Sequence, residues 1–187
     1  MRQSREEKAR THERILEIAS KQVREQGLDG PAVAEIMQAA GLTHGGFYKH
    51  FGSRDDLIAE AAERALARSD RHVHELTDEA DDPLAAFVEW YLSAEHRDDP
   101  GAGCAVATLG DDVRRSDERL RSPYRRQVGR YLQNIERFLG GGEDARGRAL
   151  LILSALVGAI VLSRAVDDQG LSDEILSAVS AGTSELP

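Results

Sequence analysis

Between Gly41 and Phe51 the chain reads GLTHGGFYKHF, and Ser53 and Arg54 follow closely. Thr43, His44, Tyr48, Lys49 and His50 all carry polar groups able to donate hydrogen bonds. Gly45 and Gly46 stand where the first turn of a helix is expected, and there each costs on the order of 1 kcal/mol relative to alanine. That cost has a reason if another molecule must come very close to this backbone. Elsewhere the candidates are fewer. Cys104 follows PGAG at an expected helix start, where the local positive potential favours a reactive thiolate; the alternative is a small buried hydrophobe. His72 and His74 are two residues apart, so on a helix they point in different directions and make a poor metal pair. Asp98-Asp99 and Asp111-Asp112 read as solvated charges. No glycine-rich phosphate loop, zinc-ligand spacing or catalytic triad pattern is visible, so neither a metal nor a cofactor is expected.

The elements that must position the first group are legible as helices. Ser4 and Glu7 form a capping box, Ile15, Ile18, Ala19 and Val23 recur at helical spacing, and Gly27 supplies a left-handed stop. Pro31 suits a first helical turn, and Val33, Ile36, Met37 and Ala40 make one apolar face of a second helix of about ten residues that ends at Gly41. Thr43 is placed to cap a third short helix through Phe47, Tyr48 and Phe51. Ser53 then caps a fourth, with Asp55 and Asp56 in its first turn, where negative charge is favourable. One long and two short helices over residues 5–51, with a tight glycine turn between the short pair, is the organisation of a helix-turn-helix whose polar second helix enters a DNA major groove.

Beyond it the spacing predicts helices over 54–76, 82–96, 104–116, 119–139, 144–167 and 172–182, with breaks at DEADDP, DDPGAG, RSPY, GGGED and DDQG. The fold class is therefore all-α: an N-terminal helix-turn-helix domain, residues 1–52, and a larger helical domain, residues 53–187. With 187 residues, 41% hydrophobic and 30% charged, the composition is that of an ordinary globular chain. Charge is uneven. Residues 1–54 hold 9 Lys/Arg against 7 Asp/Glu (+2), and residues 55–187 hold 15 against 26 (−11), consistent with the overall −9. A weakly basic head on an acidic body permits nucleic-acid contact at one end only. The long apolar run, Ala149 to Ser163, falls short of the ~20 residues that span a bilayer, and no apolar segment follows the polar N-terminus, so a cytoplasmic protein is expected, with no membrane partner. One cysteine cannot form an internal disulfide.

Gly27, the apolar face of the second helix and AAGLTHGGFYKHFGSRDDL, Ala39 to Leu57, closely resemble the N-terminal domain of TetR-family transcriptional regulators. The segment HRDDPGAGCAVATLGDDVRR, residues 96–115, is similar to one broad group of them. The resemblance implies a two-domain all-α homodimer that binds double-stranded operator DNA, most often palindromic, as a repressor, and is released when a small-molecule effector enters the body and moves the fourth helix. It implies that Gly45 and Gly46 let the recognition helix approach phosphates and base edges, that Thr43 and His44 read base edges, and that Tyr48 and Arg54 bind phosphate, with Lys49 a further phosphate ligand. His50 either touches phosphate or bonds within the domain. Pro31 and Ala32 stand where the family usually has Thr or Ser, and Gly46 where it often has Thr or Ala, so fewer side chains are left to read sequence.

In the body, Phe87, Trp90, Tyr91, Tyr124, Tyr131 and Phe138 either line an effector pocket, with Cys104, or pack the core. Helix 144–167 is apolar nearly all round. Its small residues Ala155, Gly158 and Ala159 allow close approach, and with 172–182 it resembles the family's four-helix dimer interface; the alternative is a monomer's central helix. Two other readings remain: a regulator of the same fold switched through Cys104, and a small all-α redox enzyme, weakened by the lack of a second cysteine.

Overall fold

The computed structural model describes residues 5–184, and every regular element among them is helical: α1 (Arg5–Gln26), α2 (Val33–Ala39), a 3₁₀ helix (His44–Lys49), α3 (Arg54–Thr77), α4 (Pro83–Tyr91), α5 (Ala94–Asp98), α6 (Ala105–Arg115), α7 (Glu118–Phe138), α8 (Ala145–Ala165) and α9 (Gln169–Ser184). The Ser4 cap expected for α1 lies outside the described residues. Gly27 ends α1 at φ +78°. Two expected short helices are shorter still. Pro31 precedes α2 rather than opening it, and Ala32 at the cap position offers no side-chain bond. The recognition segment winds as a 3₁₀ helix, in keeping with two glycines in six residues, and Thr43 sits extended at its cap without a side-chain bond.

α3 is the axis of the molecule. Ser53 accepts from the Asp56 backbone N–H at 3.1 Å and fixes its start, and its buried face runs through Leu57, Ala61, Ala65 and Leu66 to Val73 and Thr77. α1 packs along it through Ile15, Ala19 and Val23, each fully buried. Farther along, α7 and α4 pack on the same helix. The core is thus continuous from Ile15 in α1 to Leu176 in α9, with no apolar gap where the two expected domains meet.

Two expected boundaries move. The single helix over 82–96 breaks at Leu92 and Ser93, because Ser93 caps a new short helix by accepting from the His96 N–H at 3.1 Å. RSPY does not interrupt the helix expected over 119–139: α7 starts after Asp117, which accepts from the Arg119 N–H at 3.0 Å, and runs through it. Pro123 lies buried inside α7, near its start, where the loss of one ladder bond is offset by burial. Among the described residues one helix, α8, is long and apolar enough to cross a bilayer by length and composition. Here it packs against α6, α7 and α9.

Candidate nucleic-acid interface and a cleft in the body

The turn between α2 and the 3₁₀ helix closes through Gly41, whose φ of +69° disfavours any residue with a Cβ. Leu42 N–H bonds the Met37 carbonyl at 2.8 Å. Phe47 and Phe51, buried against this unit, act as anchors. With them turned inward, Thr43, His44, Gly45, Tyr48 and Lys49 are all exposed, while Gly46 and His50 are half-buried. Tyr48 is 72% exposed, an unusual position for a large aromatic. Neither Gly45 nor Gly46 has positive φ. A Cβ at Gly45 would meet nothing within 4 Å, and at Gly46 only the Met37 methyl at 3.5 Å. The fold itself therefore does not demand glycine at these two positions.

Two sequence-selected residues have inward duties. Arg54 Nη2 donates to the carbonyls of Leu28 and Asp29, both at 3.0 Å, and of Pro31 at 3.2 Å. It ties the start of α3 to the loop that sets α2. His50 keeps a buried, unpartnered Nδ1. Burial first, then the positive charges of His12, Lys8 and Lys49, holds its pKa below the ordinary value. His12 stacks on Phe51 at 4.6 Å and bonds Glu60 at 3.1 Å, joining α1 to α3.

The six body residues chosen from sequence do not form one pocket. Phe87, Tyr91, Tyr131 and Cys104 are fully buried in the core, and Cys104 Sγ lies 3.2 Å from the Tyr131 hydroxyl. Burial pushes both tyrosines well above their usual pKa. Tyr124 donates to the Val106 carbonyl at 2.9 Å, and burial raises its pKa to about 12. Trp90 alone of the six lines a cleft of about 280 Å³, together with Arg68, His72, Glu95, His96, Asp99 and the backbone at 102–103. The sequence reading had no pattern that singled out these partners, apart from the 96–115 segment that contains His96 and Asp99.

His96 is fixed from both sides. Its Nδ1 lies 2.6 Å from the Tyr91 carbonyl, which can only accept, and its Nε2 lies 2.8 Å from the Cys104 N–H, which can only donate. The ring is therefore the neutral Nδ1–H tautomer. Burial drives its pKa down to about 4, against the opposing pull of the Tyr91 bond. It stacks on Trp90 at 4.8 Å, while His72 meets the same indole edge-on at 4.7 Å.

Cleft and recognition unit are joined by a buried cation. Arg24 of α1 is buried, donates through Nε to the Gly101 carbonyl at 2.7 Å, bonds the same oxygen through Nη2, and reaches Ser20 at 3.1 Å. Gly101 belongs to the loop that forms one lip of the cleft. Nearby, Asp112 of α6 accepts from the Leu28 N–H at 2.9 Å.

Comparison with known proteins agrees with this arrangement. Residues 15–61 match the model of the bacterial regulatory proteins of the tetR family. The HTH-type transcriptional regulator Rv0196 of Mycobacterium tuberculosis is 29% identical over 167 residues, covering 81% of this chain and 83% of the relative. Over residues 15–61 the chain carries the N-terminal region of a TetR-family regulator. HTH-type transcriptional regulator AcrR of Shigella flexneri is 34% identical over 91 residues, 47% of this chain and 41% of its own. Among solved structures, a TetR regulator from Chloroflexus aurantiacus superposes with a TM-score of 0.82 at 21% identity, covering 96% of this chain and 97% of its own. The reduced form of E. coli NemR gives 0.79 at 20% identity, covering 95% and 96%. These two share the fold.

These relatives are transcriptional regulators rather than enzymes, and the redox-enzyme reading is set aside. Among the described residues the exposed large apolar side chains gather, Tyr48 apart, on α8 and α9: Leu150, Leu151, Val161, Leu162 and Leu171, with Leu151 and Leu162 each 55% exposed. Among the described residues no group of three or more His, Cys, Asp or Glu is placed to hold a metal ion.

Proposed function

We propose that this TetR-family transcriptional regulator represses from a palindromic operator as a homodimer and is released by a small molecule bound in its body. The recognition surface is the 3₁₀ helix of residues 1–52, and the body, residues 53–187, carries dimerisation and effector binding in the cytoplasm. The observation that carries the reading is the exposed recognition helix. Thr43, His44, Tyr48 and Lys49 face solvent beside glycines whose missing side chains the fold does not explain, and a phosphate backbone explains them. Helix-turn-helix dimers engage half-sites about 34–36 Å apart. The exposed leucines of α8 and α9 supply an apolar face for such pairing, since a contiguous exposed apolar patch commonly marks an interface.

Arg54 enters this reading as a positioning residue: its bonds to three carbonyls orient α2, and Tyr48 and Lys49 take the phosphate contacts. Effector release requires that the ligand prefer the conformation that does not bind DNA, and the coupling then runs both ways. The cleft is suited to it because α3 supplies Arg68, Ser69 and His72 to its wall, and its lip is held by Arg24 of α1. We assign Cys104 to the core, since it has no exposed surface.

The test is binding of the purified protein to its own upstream DNA across salt concentrations, beside a Tyr48→Phe, Lys49→Ala variant. Specific binding that falls steeply with salt, and less steeply in the variant, supports the assignment. Equal binding to random DNA, or an unchanged variant, contradicts it.

A further inference from the structure

The corner where α1 meets the end of the 3₁₀ helix gathers basic side chains with little to balance them. His50 lies there, half-buried at the rim of the surface that carries Tyr48 and Lys49. The His12 ring of α1 stands 6.2 Å away, centroid to centroid, and the charges of Lys8 from α1 and Lys49 from the 3₁₀ helix also act on His50. From α3 the acid that reaches this corner is Glu60, and it is bonded to His12 at 3.1 Å. Among the described residues Lys8 and Lys49 enter no salt bridge. His50 itself keeps Nδ1 buried without a partner. Whichever tautomer the ring takes, that nitrogen is a donor without an acceptor or an acceptor without a donor.

These groups lack an anion, and the proposed function supplies one. Where Tyr48 and Lys49 contact DNA phosphates, negative charge arrives beside His50. In the free protein, burial and the cations around it oppose a proton on the ring; a neighbouring phosphate favours that proton and accepts a charge-assisted hydrogen bond from it. We infer that operator binding draws a proton onto His50, so that the regulator carries a second input, pH, at its DNA surface. The inference rests on the proposed recognition surface and adds a regulation of it. Its sign follows from linkage. His50 holds its proton more tightly in the complex than in the free protein, so affinity for operator is greatest at low pH and is lost as pH rises through the point where the bound ring gives its proton up. Histidine ordinarily titrates near ~6.5, which puts this change close to neutrality.

The test is the operator affinity of the full-length protein from about pH 8 to about pH 6 at fixed salt, for the wild type, His50→Gln and a remote control, His74→Gln. The wild type should bind more tightly as pH falls, by up to about tenfold per pH unit where one proton is taken up. The control should keep this slope and His50→Gln should lose it. A wild-type affinity that does not change with pH, or a slope that survives in His50→Gln, overturns the inference. The ring's own titration, followed by NMR in the wild type with and without operator, needs no variant: its pKa should rise in the complex, and an unchanged or lower value overturns the inference. Random DNA is measured alongside. Specific operator binding without proton uptake removes only the pH input, whereas binding to operator no tighter than to random DNA at every pH removes the recognition surface beneath it and the inference with it.

Discussion

The recognition helix and the aromatic cluster of the body use similar side chains, tyrosine, histidine and phenylalanine, to opposite ends. In and just after the 3₁₀ helix, Phe47 and Phe51 are buried so that Tyr48 and His44 need not be. In the body Phe87, Tyr91 and Tyr131 are all buried, and the two tyrosine hydroxyls stay inside the protein. Residue type alone does not separate a recognition surface from a core. What separates them is spacing against anchors: with Phe47 in the short helix and Phe51 just after it fixed inward, Tyr48 and Lys49 are left facing out.

Substitutions can break that contrast. The largest expected effect is in the core: Phe87→Ala or Tyr131→Ala should cost about 3–5 kcal/mol in denaturant unfolding, with operator affinity per folded molecule unchanged. Tyr48→Ala should do the reverse, shifting stability by no more than ~0.5 kcal/mol while weakening operator binding about tenfold, as loss of one charge-assisted phosphate contact does. If Tyr48→Ala unfolds the protein instead, the surface has been misplaced.

Next is His96. Its folded pKa of about 4 lies below the ordinary ~6.5 of the unfolded chain, so the unfolded state binds the proton first as pH falls. Its contribution is therefore present above about pH 6.5 and is lost as pH drops toward 4, by up to about 3 kcal/mol. Thermal unfolding followed from pH 7 to pH 4 should show this loss, and His96→Asn should flatten that part of the profile.

Arg24→Met should destabilise by about 1–3 kcal/mol, since it leaves the Gly101 carbonyl without its donor, and should reduce release of operator by an effector. Retained release would mean that the lip is not the link. The smallest effect is the most discriminating: with open space and ordinary φ at the site, Gly45→Ala should raise stability by up to ~1 kcal/mol and yet weaken operator binding.

The helix start at Ser53 was legible because its side chain caps, and the stops at Gly27 and Gly41 because each glycine takes positive φ. The split at Ser93 was hidden because Leu92 and its neighbours keep a helical apolar pattern across it. Pro123 misled in the other direction, since burial lets α7 keep it. For the site, the exposed set from Thr43 to Lys49 could be read from local spacing. The bonds of Arg54 could not, because they reach back to Leu28, Asp29 and Pro31, and the cleft could not, because α3, α4, α5 and the following loop meet there only in three dimensions.

The central claim is that the residues from Thr43 to Lys49 form the DNA-binding surface. Its most direct test is the salt dependence of operator binding for the wild type and for Lys49→Ala. The account predicts that Lys49→Ala lowers affinity on operator and random DNA alike and reduces the slope of log K against log salt by about 1. Identical slopes and affinities for the two proteins would contradict it.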